Sequence, residues 1–555
     1  MAKVLGINAV FHDPAAALVV DGRIVAAAEE ERFTRRKHGK PSVPFSTWEV
    51  PGAAARWCLA RGGIGPEDLD AVAYSYDPSI AATHSDVTSD GWEALRTLFV
   101  ERAPLFLRAE LPGLDPACVR FVAHHAAHAA SAYLAAPLES SAVMVLDGRG
   151  ERASYLAGVW RDGIFERLAV QPLPHSLGLM YEDVTEHLGF HRSSDEYKVM
   201  GLAAHGSPEY LPELRRLIRC RDGGFTLDPI EWSTFAKPRV GEEWRSEHAD
   251  LAASVQARLE EVLLELAAWL HDRSGDDRLT MAGGVALNCV ANSRLVREGP
   301  FRELWVQPAA GDAGTALGAA LHSARAFGDR TLPMETAALG PEWSDDEIRS
   351  WLDAARVPFE EPADLADSVA EILAADGVVG WYQGRSEYGP RALGHRSLLA
   401  DPRRAANLER LNDIKGREQF RPIAPMVLLD RAAEIFDGPL PSPYMLFTQR
   451  VEPAWAERIP AVVHVDGTAR IQTVDPDAEP LVAGVLRAFE RRTGVPVVVN
   501  TSFNTSGRPI VDSPRDALEC FGAAPIDALA IGPALVRRSA LFAAPATAGG
   551  AGADG

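Results

Sequence analysis

The sequence predicts an α/β protein with a duplicated N-terminal domain, followed by a second α/β domain. Two segments indicate the duplication: VLGINAVFHDPAAALVVDGRIVAAA at residues 4–28 and VLDGRGERASYLAGVWRDGIFERLA at residues 145–169. In both, 17 positions separate the opening Val-Leu strand from an Asp-Gly pair, from Val4 to Asp21 and from Val145 to Asp162. Asp-Gly between two strand patterns is a strong hairpin signal. We therefore expect two similar halves with a phosphate-binding cleft between them, although two unrelated hairpins would show the same local pattern.

The segments that follow have helical and turn character. Residues 251–272, LAASVQARLEEVLLELAAWLHD, place apolar residues three and four apart, which predicts a helix. In LTMAGGVALNCVANSRL, the glycines Gly283 and Gly284 allow the backbone to approach a nucleotide, and Asn288 follows them. Residues 326–348 resemble a connector. The predicted boundaries are 1–345 for the first domain, 355–543 for the second and 544–555 for a disordered low-complexity tail.

Composition limits the classes of partner. The net charge of −21 argues against general attraction to nucleic acid or to an anionic membrane. The five cysteines form no CxxC pair, which fits a reducing cytoplasm, and no apolar run is long enough to span a bilayer. We expect a cytoplasmic protein that acts on a small molecule, without nucleic-acid or membrane partners. A homodimer is the expected oligomeric state.

Three histidines lie in the small, apolar segment FVAHHAAHAASAYL, residues 121–134. His124 and His128 are four apart, so on a helix both imidazoles share one face, while His125 points elsewhere. Asp147 follows a predicted strand and Asp312 lies in the turn AAGDAG, and strand ends of α/β sheets meet in ligand clefts. Two nitrogen and two oxygen ligands suit Fe(II), Mn(II) or Zn(II). Helix histidines often have purely local partners, but the two aspartates favour a metal site.

The first hairpin loop and the segment after it contain further candidate phosphate-binding residues. His12 and Asp13 lie in the loop expected to face the phosphates, and Lys37 is expected to reach them. We expect the neighbouring arginines, Arg35 and Arg36, to lie in a solvated loop.

Two other features suggest contacts to small molecules. The loop residues Ala9, Val10 and Phe11 suggest an apolar wall for a neutral acceptor. The segment SSDEYKVMGLAAHG contains Glu196 and Lys198, which belong either to an acceptor or nucleotide pocket or to an ordinary surface turn.

The C-terminal half suits polyanions. Arginine and lysine residues cluster there among glycine, proline and apolar residues: Arg391, Arg396, Lys415, Arg417, Arg421 and Arg508. Guanidinium forks and an ammonium group can hold several phosphates. Asn500, Ser502 and Asn504 follow the apolar run VPVVV and can orient a small carbonyl group beside them. One arginine alone would be read as a surface charge, but the cluster predicts a phosphate site.

Ordered motifs along nearly the whole chain closely resemble the NodU/CmcH family of O-carbamoyltransferases. They are FHDPAA, EEERFTRRKHG, HHAAHAAS, EYKVMGLAAHG, GGVALN, YGPRALGHRS, FRPIAP, HVDGTARIQTV and NTSFN. The resemblance implies an N-terminal actin/hexokinase-like (ASKHA) domain and a C-terminal YrdC-like α/β domain. It also implies that carbamoyl phosphate and ATP, with Mg²⁺, give carbamoyladenylate in the second domain. The carbamoyl group then passes, in the first domain, to a hydroxyl of a natural-product acceptor, a sugar or a polyketide.

The resemblance also implies roles for individual residues. His124, His128, Asp147 and Asp312 would hold Fe(II) or a similar divalent metal. His12 and Lys37 would be catalytic beside the carbamoyl group and the phosphate, and Gly283, Gly284 and Asn288 would contact the nucleotide. In the second domain, Arg391, Lys415, Arg421 and Ser502 would bind carbamoyl phosphate and ATP, with Arg421 and Ser502 catalytic and with Asn500 and Asn504 flanking them.

Three alternatives remain open at this point. Proteins that carbamoylate a protein cysteine resemble this chain but also carry an acylphosphatase segment and paired CxxC zinc fingers, which are missing from the sequence. A role in tRNA modification needs a basic surface, which the net charge disfavours. A non-catalytic ATP-binding regulator needs no carbamoyl phosphate site, so Arg391, Lys415 and Arg421 argue against it.

Overall fold

The computed structural model describes residues 2–39, 49–81, 92–241, 243–505 and 507–541. The predicted tail, residues 544–555, lies outside the described residues. The N-terminal part contains two five-stranded sheets, and the C-terminal part contains a mixed seven-stranded sheet. The mixed α/β class predicted from the sequence is therefore confirmed.

The first sheet and its helices occupy residues 3–133. Its strands are β1 (Lys3–Asn8), β2 (Ala15–Val20), β3 (Arg23–Glu29), β4 (Ala71–Tyr74) and β5 (Val119–Phe121). Its helices are α1 (Glu31–Thr34), α2 (Gly52–Gly62), α3 (Trp92–Glu110) and α4 (His124–Tyr133). The strand order is β3-β2-β1-β4-β5, antiparallel through β3, β2 and β1 and parallel through β1, β4 and β5.

The second sheet repeats this plan. The strands between residues 141 and 306 are β6 (Ser141–Leu146), β7 (Ala153–Arg161), β8 (Ile164–Pro172), β9 (Ile218–Arg221), β10 (Gly224–Leu227), β11 (Arg278–Ala282) and β12 (Glu303–Val306). The helices are α5 (Leu177–His187), α6 (Glu196–Ala203), α7 (Leu211–Leu217), α8 (Ser246–Ser274), α9 (Cys289–Glu298) and α10 (Ala313–Ala326). The order β8-β7-β6-β11-β12 has the same strand directions as the first sheet, while β9 and β10 form a separate hairpin.

The Asp-Gly turns explain why both halves begin alike. Asp21 and Gly22 join β2 to β3, and Asp162 and Gly163 join β7 to β8. All four residues have positive φ, at 53° and 71° in the first turn and 52° and 76° in the second. Positive φ at both central residues gives the twist that a two-residue hairpin loop needs. The predicted duplication is confirmed by these turns and by the matched sheets.

The remaining elements form the C-terminal part, which is built on the seven-stranded sheet with the order β19-β15-β20-β14-β13-β21-β22. The strands are β13 (Val379–Tyr382), β14 (Arg396–Ala400), β15 (Ala424–Leu428), β16 (Phe436–Asp437), β17 (Gln449–Val451), β18 (Thr468–Ala469), β19 (Gln472–Val474), β20 (Val497–Ser502), β21 (Ala528–Ile531) and β22 (Ala534–Arg537). The helices are α11 (Asp345–Ala354), α12 (Leu365–Ala374), α13 (Ala406–Lys415), α14 (Leu429–Ile435), α15 (Pro453–Ala456), α16 (Pro480–Thr493), α17 (Pro514–Ala523) and α18 (Arg538–Leu541). The interval between the predicted domains contains α11, whose Ile348 and Leu352 pack into the core of this sheet.

The segment after β3 attaches the two parts to each other. Buried Arg32 donates to the carbonyl oxygens of Glu387 and Gly389, at 3.3 and 3.0 Å, and the amide of Gly389 donates to Glu29 at 2.6 Å. Arg35 donates to the carbonyl oxygen of Ile510 at 2.7 Å. The expectation that Arg35 is a solvated loop charge is therefore wrong, because the C-terminal part covers it.

Two of the three apolar residues before His12 do not belong to an acceptor wall. Ala9 and Val10 have no exposed surface and pack in the core with Leu5 and Ile7 of β1, so the expectation is wrong for them. Phe11 is half-buried, and its ring centroid lies 5.0 Å from that of His124. Among the described residues, no helix combines the length and the apolar character needed to cross a bilayer.

A candidate active site with two clusters

The first cluster contains the four predicted metal ligands. His124 and His128 lie in the first two turns of α4, Asp147 follows β6, and Asp312 precedes α10. A Cβ on Gly318 would overlap the carbonyl oxygen of Ala127, so this glycine lets α10 lie directly against α4. That close approach brings Asp312 to the histidines. All four side chains are buried.

The ligand atoms of this cluster converge. Nε2 of His124 lies 3.4 Å from Oδ2 of Asp147 and 3.5 Å from Oδ1 of Asp312. Nε2 of His128 lies 3.7 and 3.5 Å from the same two oxygens. One ligand atom from each of the four residues lies within 4.8 Å of every other. This compact set of two imidazoles and two carboxylates has the composition of a divalent metal site.

Two further observations show that the residues fit a metal. Both ring nitrogens of His128 are buried and have no hydrogen-bond partner within the described chain, and an unsatisfied buried nitrogen needs a ligand. Burial opposes the charged form of His124, but Asp147 and Asp312 outweigh it and hold the pKa of His124 well above its usual value. The carboxylates therefore stabilise a positive charge here, which a divalent metal would supply in place of the proton. The pKa of Asp147 lies well below its usual value because His124 and His128 outweigh the effect of burial. The pKa of Asp312 is also lowered, because His12 and His124 outweigh burial and the repulsion of Asp147, so both carboxylates are ionised and can act as ligands.

The predicted catalytic and nucleotide residues of this half lie beside the cluster. The main-chain N–H of His12 donates to Oδ2 of Asp312 at 3.4 Å. The amide of Gly284 donates to Oδ1 of Asp147 at 3.0 Å, and Asn288 caps α9 through the amide of Ala291. A Cβ on the preceding residue, Gly283, would overlap the carbonyl oxygen of Leu146. The glycine turn is therefore packed against the strand end that presents Asp147.

The second cluster lies in the C-terminal part, where α13 ends beside β20. The Nζ of Lys415, which is 5% exposed, donates to Oγ of Ser502 at 3.0 Å and to Oδ1 of Asn504 at 2.6 Å. Burial and the neighbouring cation of Arg417 hold the pKa of Lys415 well below its usual value. These predicted residues therefore meet in one place.

Several arginines of this part have guanidinium nitrogens without acceptors. Nε of Arg391, Nη2 of Arg417 and Nε of Arg470 are buried and lack hydrogen-bond partners in the described structure. Burial and the charge of Arg470 lower the pKa of Arg391 to about 9, and burial together with Arg421 and Arg470 lowers that of Arg417 to about 9. Cations that are buried together favour a bound polyanion, because its charge relieves both desolvation and mutual repulsion.

Two residues of the predicted C-terminal binding set, Asn500 and Arg396, form hydrogen bonds within the protein. Nδ2 of Asn500 donates to the carbonyl oxygen of Ala392 and to Oε1 of Gln472, at 3.1 and 2.7 Å, inside the sheet. Arg396 has no exposed surface and donates to the carbonyl oxygens of Gln383 and Gly384. The expectation that Arg396 belongs to the phosphate cluster was wrong, because β14 directs its side chain into the protein.

One cavity of about 670 Å³ connects the two clusters. Its N-terminal end is lined by residues of the first cluster and its neighbours, namely His12, Asp13, Lys37, His38, Asp147 and Asp312. Its C-terminal end is lined by Arg391, Arg417, Arg421, Arg470, Asn504 and Arg508. A small phosphorylated molecule can thus reach both clusters from the same internal space.

Sequence reasoning missed several residues of this cavity. Arg470 was not singled out, although it lies in the quoted motif HVDGTARIQTV. Asp13 was predicted to face the phosphates but was assigned no role, and His38 was not singled out, although both lie in quoted motifs and line the cavity. An arginine between strands and a histidine after a charged run look like ordinary surface residues, so only the quoted motifs contained a signal for them.

Two protein-family models match this chain. The model described as carbamoyltransferase N-terminus matches residues 3–109 and 106–321, and the model described as carbamoyltransferase C-terminus matches residues 370–538. The fold and the two clusters thus belong to a group-transfer enzyme. The chain is a member of the carbamoyltransferase family, and the resemblance found in the sequence is confirmed.

Curated relatives match the chain over most of its length. An uncharacterized protein of Synechocystis is 37% identical over 96% of this chain and 96% of its own length. The nodulation protein NolNO of Sinorhizobium fredii is 37% identical over 96% of this chain and 80% of its own. Nodulation protein U of Rhizobium tropici is 31% identical over 90% of each chain.

Solved structures are more distant. HypF of T. kodakarensis aligns with 60% of this chain and 48% of its own, at 14% identity and a TM-score of 0.37. A ROK hexokinase of Thermus thermophilus aligns with 57% of this chain and 97% of its own, at 18% identity and a TM-score of 0.28. Such weak likeness does not define the fold, which follows from the matched sheets described above.

Proposed function

We propose that the protein carbamoylates a hydroxyl group of a small molecule in two steps. At the arginine cluster, water cleaves carbamoyl phosphate to carbamate and phosphate. A carbamate oxygen then forms a bond to the α-phosphorus of ATP, which is bound with Mg²⁺, and the bond from that phosphorus to the pyrophosphate oxygen breaks, giving carbamoyladenylate and pyrophosphate. At the histidine cluster, the acceptor hydroxyl forms a bond to the carbamoyl carbon, the bond from that carbon to the AMP oxygen breaks, and the hydroxyl proton leaves to solvent or a base. The products are an O-carbamate and AMP.

The observation that carries this proposal is the single cavity between the two clusters. Carbamoyladenylate reacts readily with water, so a short internal path protects it between the two steps. The arginine end has buried guanidinium N–H groups without hydrogen-bond partners among the described residues, and the other end has the four potential metal ligands. This arrangement favours a two-step transferase over an ATP-binding regulator, because a regulator does not need a second site for an anionic ligand.

Each cluster contributes in its own way. We propose that Arg391, Lys415 and Arg421 hold the phosphates and that Ser502, which accepts a hydrogen bond from Lys415, contacts the reacting group. His124, His128, Asp147 and Asp312 would hold a divalent metal, which we propose to be Fe(II) and which acts as a Lewis acid when bound. His12 and Lys37 face the carbamoyl group and the AMP phosphate. Gly283, Gly284 and Asn288 shape the nucleotide side of the cavity.

The acceptor we propose is a natural product that presents a sugar or polyketide hydroxyl. Lipo-oligosaccharides, which carry sugar hydroxyls, are included in this class. Nucleic acid and membranes are not proposed as partners, because the net charge is −21. A homodimer is the proposed assembly. We also propose that the N-terminal part is of the ASKHA type and the C-terminal part of the YrdC type.

An acceptor screen tests this function. The purified protein is incubated with ATP, Mg²⁺, Fe(II) and carbamoyl phosphate, together with an aminoglycoside, a glycosylated polyketide or a lipo-oligosaccharide. The proposal expects equal amounts of AMP, pyrophosphate and an O-carbamate with at least one of these compounds. If ATP is consumed only to ADP, or if a protein thiol is carbamoylated instead, the proposal fails.

A mixing experiment tests the internal path. The Asp312→Asn variant should make carbamoyladenylate but not transfer it, and the Arg421→Ala variant should transfer it but not make it. If the intermediate stays inside one chain, a mixture of the two variants forms little carbamate. If the mixture approaches the wild-type rate, the intermediate diffuses freely and no protected path exists.

A further inference from the structure

A second group of imidazole and carboxylate side chains lies beside the metal cluster. Nδ1 of His12 lies 2.8 Å from Oδ2 of Asp13, and Nδ1 of His38 lies 2.8 Å from Oδ1 of the same carboxylate. Nε2 of His38 lies 2.8 Å from Oγ of Ser194. This chain of four residues joins the first hairpin loop, the segment after α1 and the loop before α6, and all four residues line the cavity.

Hydrogen bonding distinguishes this group from the metal cluster, although His12, Asp13 and His38 are also close enough to share an ion. Their potential ligand atoms are already paired with one another at hydrogen-bond distance. In contrast, both ring nitrogens of His128 lack such partners within the described chain. A metal in the second group would have to break bonds that are already formed. We therefore interpret this group as a device that orients side chains.

The bonds determine which ring nitrogen carries the proton. An ionised carboxylate only accepts, so Asp13 requires an N–H at Nδ1 of both His12 and His38. In the neutral rings, Nε2 of His12 and Nε2 of His38 then carry the lone pairs, and Nε2 of His38 accepts from the Ser194 hydroxyl. Burial opposes the charged form of Asp13, but His12 and His38 outweigh it and hold its pKa well below the usual value.

We propose that Asp13 is a positioning residue for carbamoyl transfer. Oδ2 of Asp13 fixes the orientation and tautomer of His12. Oδ1 of Asp13 is held by His38, which in turn is held by Ser194. The main-chain N–H of His12 reaches Asp312, so the ring that Asp13 orients lies next to the metal ligands. This inference rests on the proposed function, because it assumes that carbamoyl transfer takes place beside His12.

The backbone determines which variants are informative. Asp13 has a φ of 50°, in the left-handed region that Gly and Asn tolerate well and that other residues adopt at a cost. Asp13→Gly removes both acceptor oxygens without straining the chain. Asp13→Asn is the matched control, because its oxygen can accept from His12 while its NH₂ donates to Nδ1 of His38. The ring of His38 can then donate to Ser194 through Nε2, so His12 remains oriented.

The experiment measures AMP release from carbamoyladenylate, with methyl glucoside as the hydroxyl probe, for the full-length wild type and the two variants. For Asp13→Gly we expect kcat to fall about 100-fold while KM for carbamoyladenylate changes little, since misplacement of a group at the reacting centre has this size of effect. Asp13→Asn should keep most of the activity. Pyrophosphate formation from ATP and carbamoyl phosphate, at the other cluster, reports whether each variant is folded.

A second measurement needs no reaction. Histidine ¹⁵N spectra of the Zn²⁺-loaded protein at about pH 8, where unperturbed histidine is neutral, should show His12 protonated at Nδ1 in the wild type and in Asp13→Asn. In Asp13→Gly the two tautomers should mix.

Each failure has a distinct meaning. The proposal is wrong if Asp13→Gly keeps the wild-type kcat, or if its His12 tautomer is unchanged. It is also wrong if Asp13→Asn is as impaired as Asp13→Gly, because the charge of Asp13, rather than orientation, would then matter. If the wild type itself releases AMP no faster than buffer, the proposed function fails instead, and the spectra still test the role of Asp13.

Discussion

The guanidinium carbon of Arg421 lies 4.6 Å from the ring centroid of Tyr197, which places a C-terminal cation on an N-terminal aromatic ring. Nζ of Lys37 lies 5.9 Å from the centroid of the same ring. Tyr197 therefore contacts a proposed residue of each reaction. Cations over aromatic faces are stabilised by about 0.5–2 kcal/mol, and more strongly when they are desolvated.

The first prediction concerns this ring. Tyr197→Ala should raise KM for ATP in pyrophosphate formation about tenfold, because Arg421 loses the face that holds it. Tyr197→Phe keeps that face and should stay close to the wild type. Steady-state pyrophosphate release measures both variants. Equal KM values for Tyr197→Ala and the wild type would show that Arg421 is held by other contacts.

The second prediction concerns metal binding. Removing one ligand from a four-ligand site weakens it severely, so His124→Ala and Asp312→Asn should retain little iron after anaerobic loading with Fe(II) and desalting. His271→Ala, a change near the end of α8, controls for the loss of any histidine and should keep the wild-type content. Elemental analysis gives the metal content per chain. Wild-type iron in His124→Ala would contradict the assignment of these ligands.

The third prediction is a pH dependence of ATP binding. Arg391 and Arg417 have pKa values lowered to about 9, and their charged forms bind the phosphates. Bound ATP raises these pKa values, so the contribution of the two arginines to affinity is full below about pH 9 and falls as pH rises through that value. Calorimetric Kd values between about pH 7.5 and 10 should show the loss, since ATP keeps its own charge there. A constant Kd would mean that both arginines remain charged.

The fourth prediction concerns the contact between α4 and α10. Gly318→Ala places a methyl group against the carbonyl oxygen of Ala127, and overpacking of this kind costs about 3 kcal/mol. Iron binding should weaken as well, because Asp312 is displaced from the histidines. Gly522→Ala is the control: its Cβ would meet no atom within 4 Å, and the change should be neutral or slightly stabilising. Urea unfolding measures both, and equal stability would refute the close-packing argument.

Local signals in the sequence predicted much of the fold and of the metal cluster. Asp-Gly turns require positive φ, and the structure shows it at Asp21 and Asp162. The four-residue spacing of His124 and His128 places them on one helix face, and Asp147 follows a strand as predicted. These features depend on short-range geometry, which residue type and spacing determine directly.

Long-range packing was less predictable. Nothing local shows that Arg35 meets Ile510, or that Ala9 and Val10 turn into the core. Likewise, Asn500 was expected at a strand end but lies within β20, and its amide bonds to Ala392 within the protein. Such contacts depend on how distant segments pack together, and they determine which arginine nitrogens in the cavity lack a hydrogen-bond partner among the described residues.

One measurement on three proteins tests most directly whether activation takes place at the arginine cluster and transfer at the histidine cluster. Wild type, Arg421→Ala and Asp312→Asn are each incubated with ATP, Mg²⁺ and carbamoyl phosphate, without acceptor, and pyrophosphate and carbamoyladenylate are quantified by mass spectrometry. We predict that the wild type and Asp312→Asn form both products and that Arg421→Ala forms neither. Undiminished pyrophosphate from Arg421→Ala, or intact ATP with all three proteins, would contradict the assignment of activation to the arginine cluster.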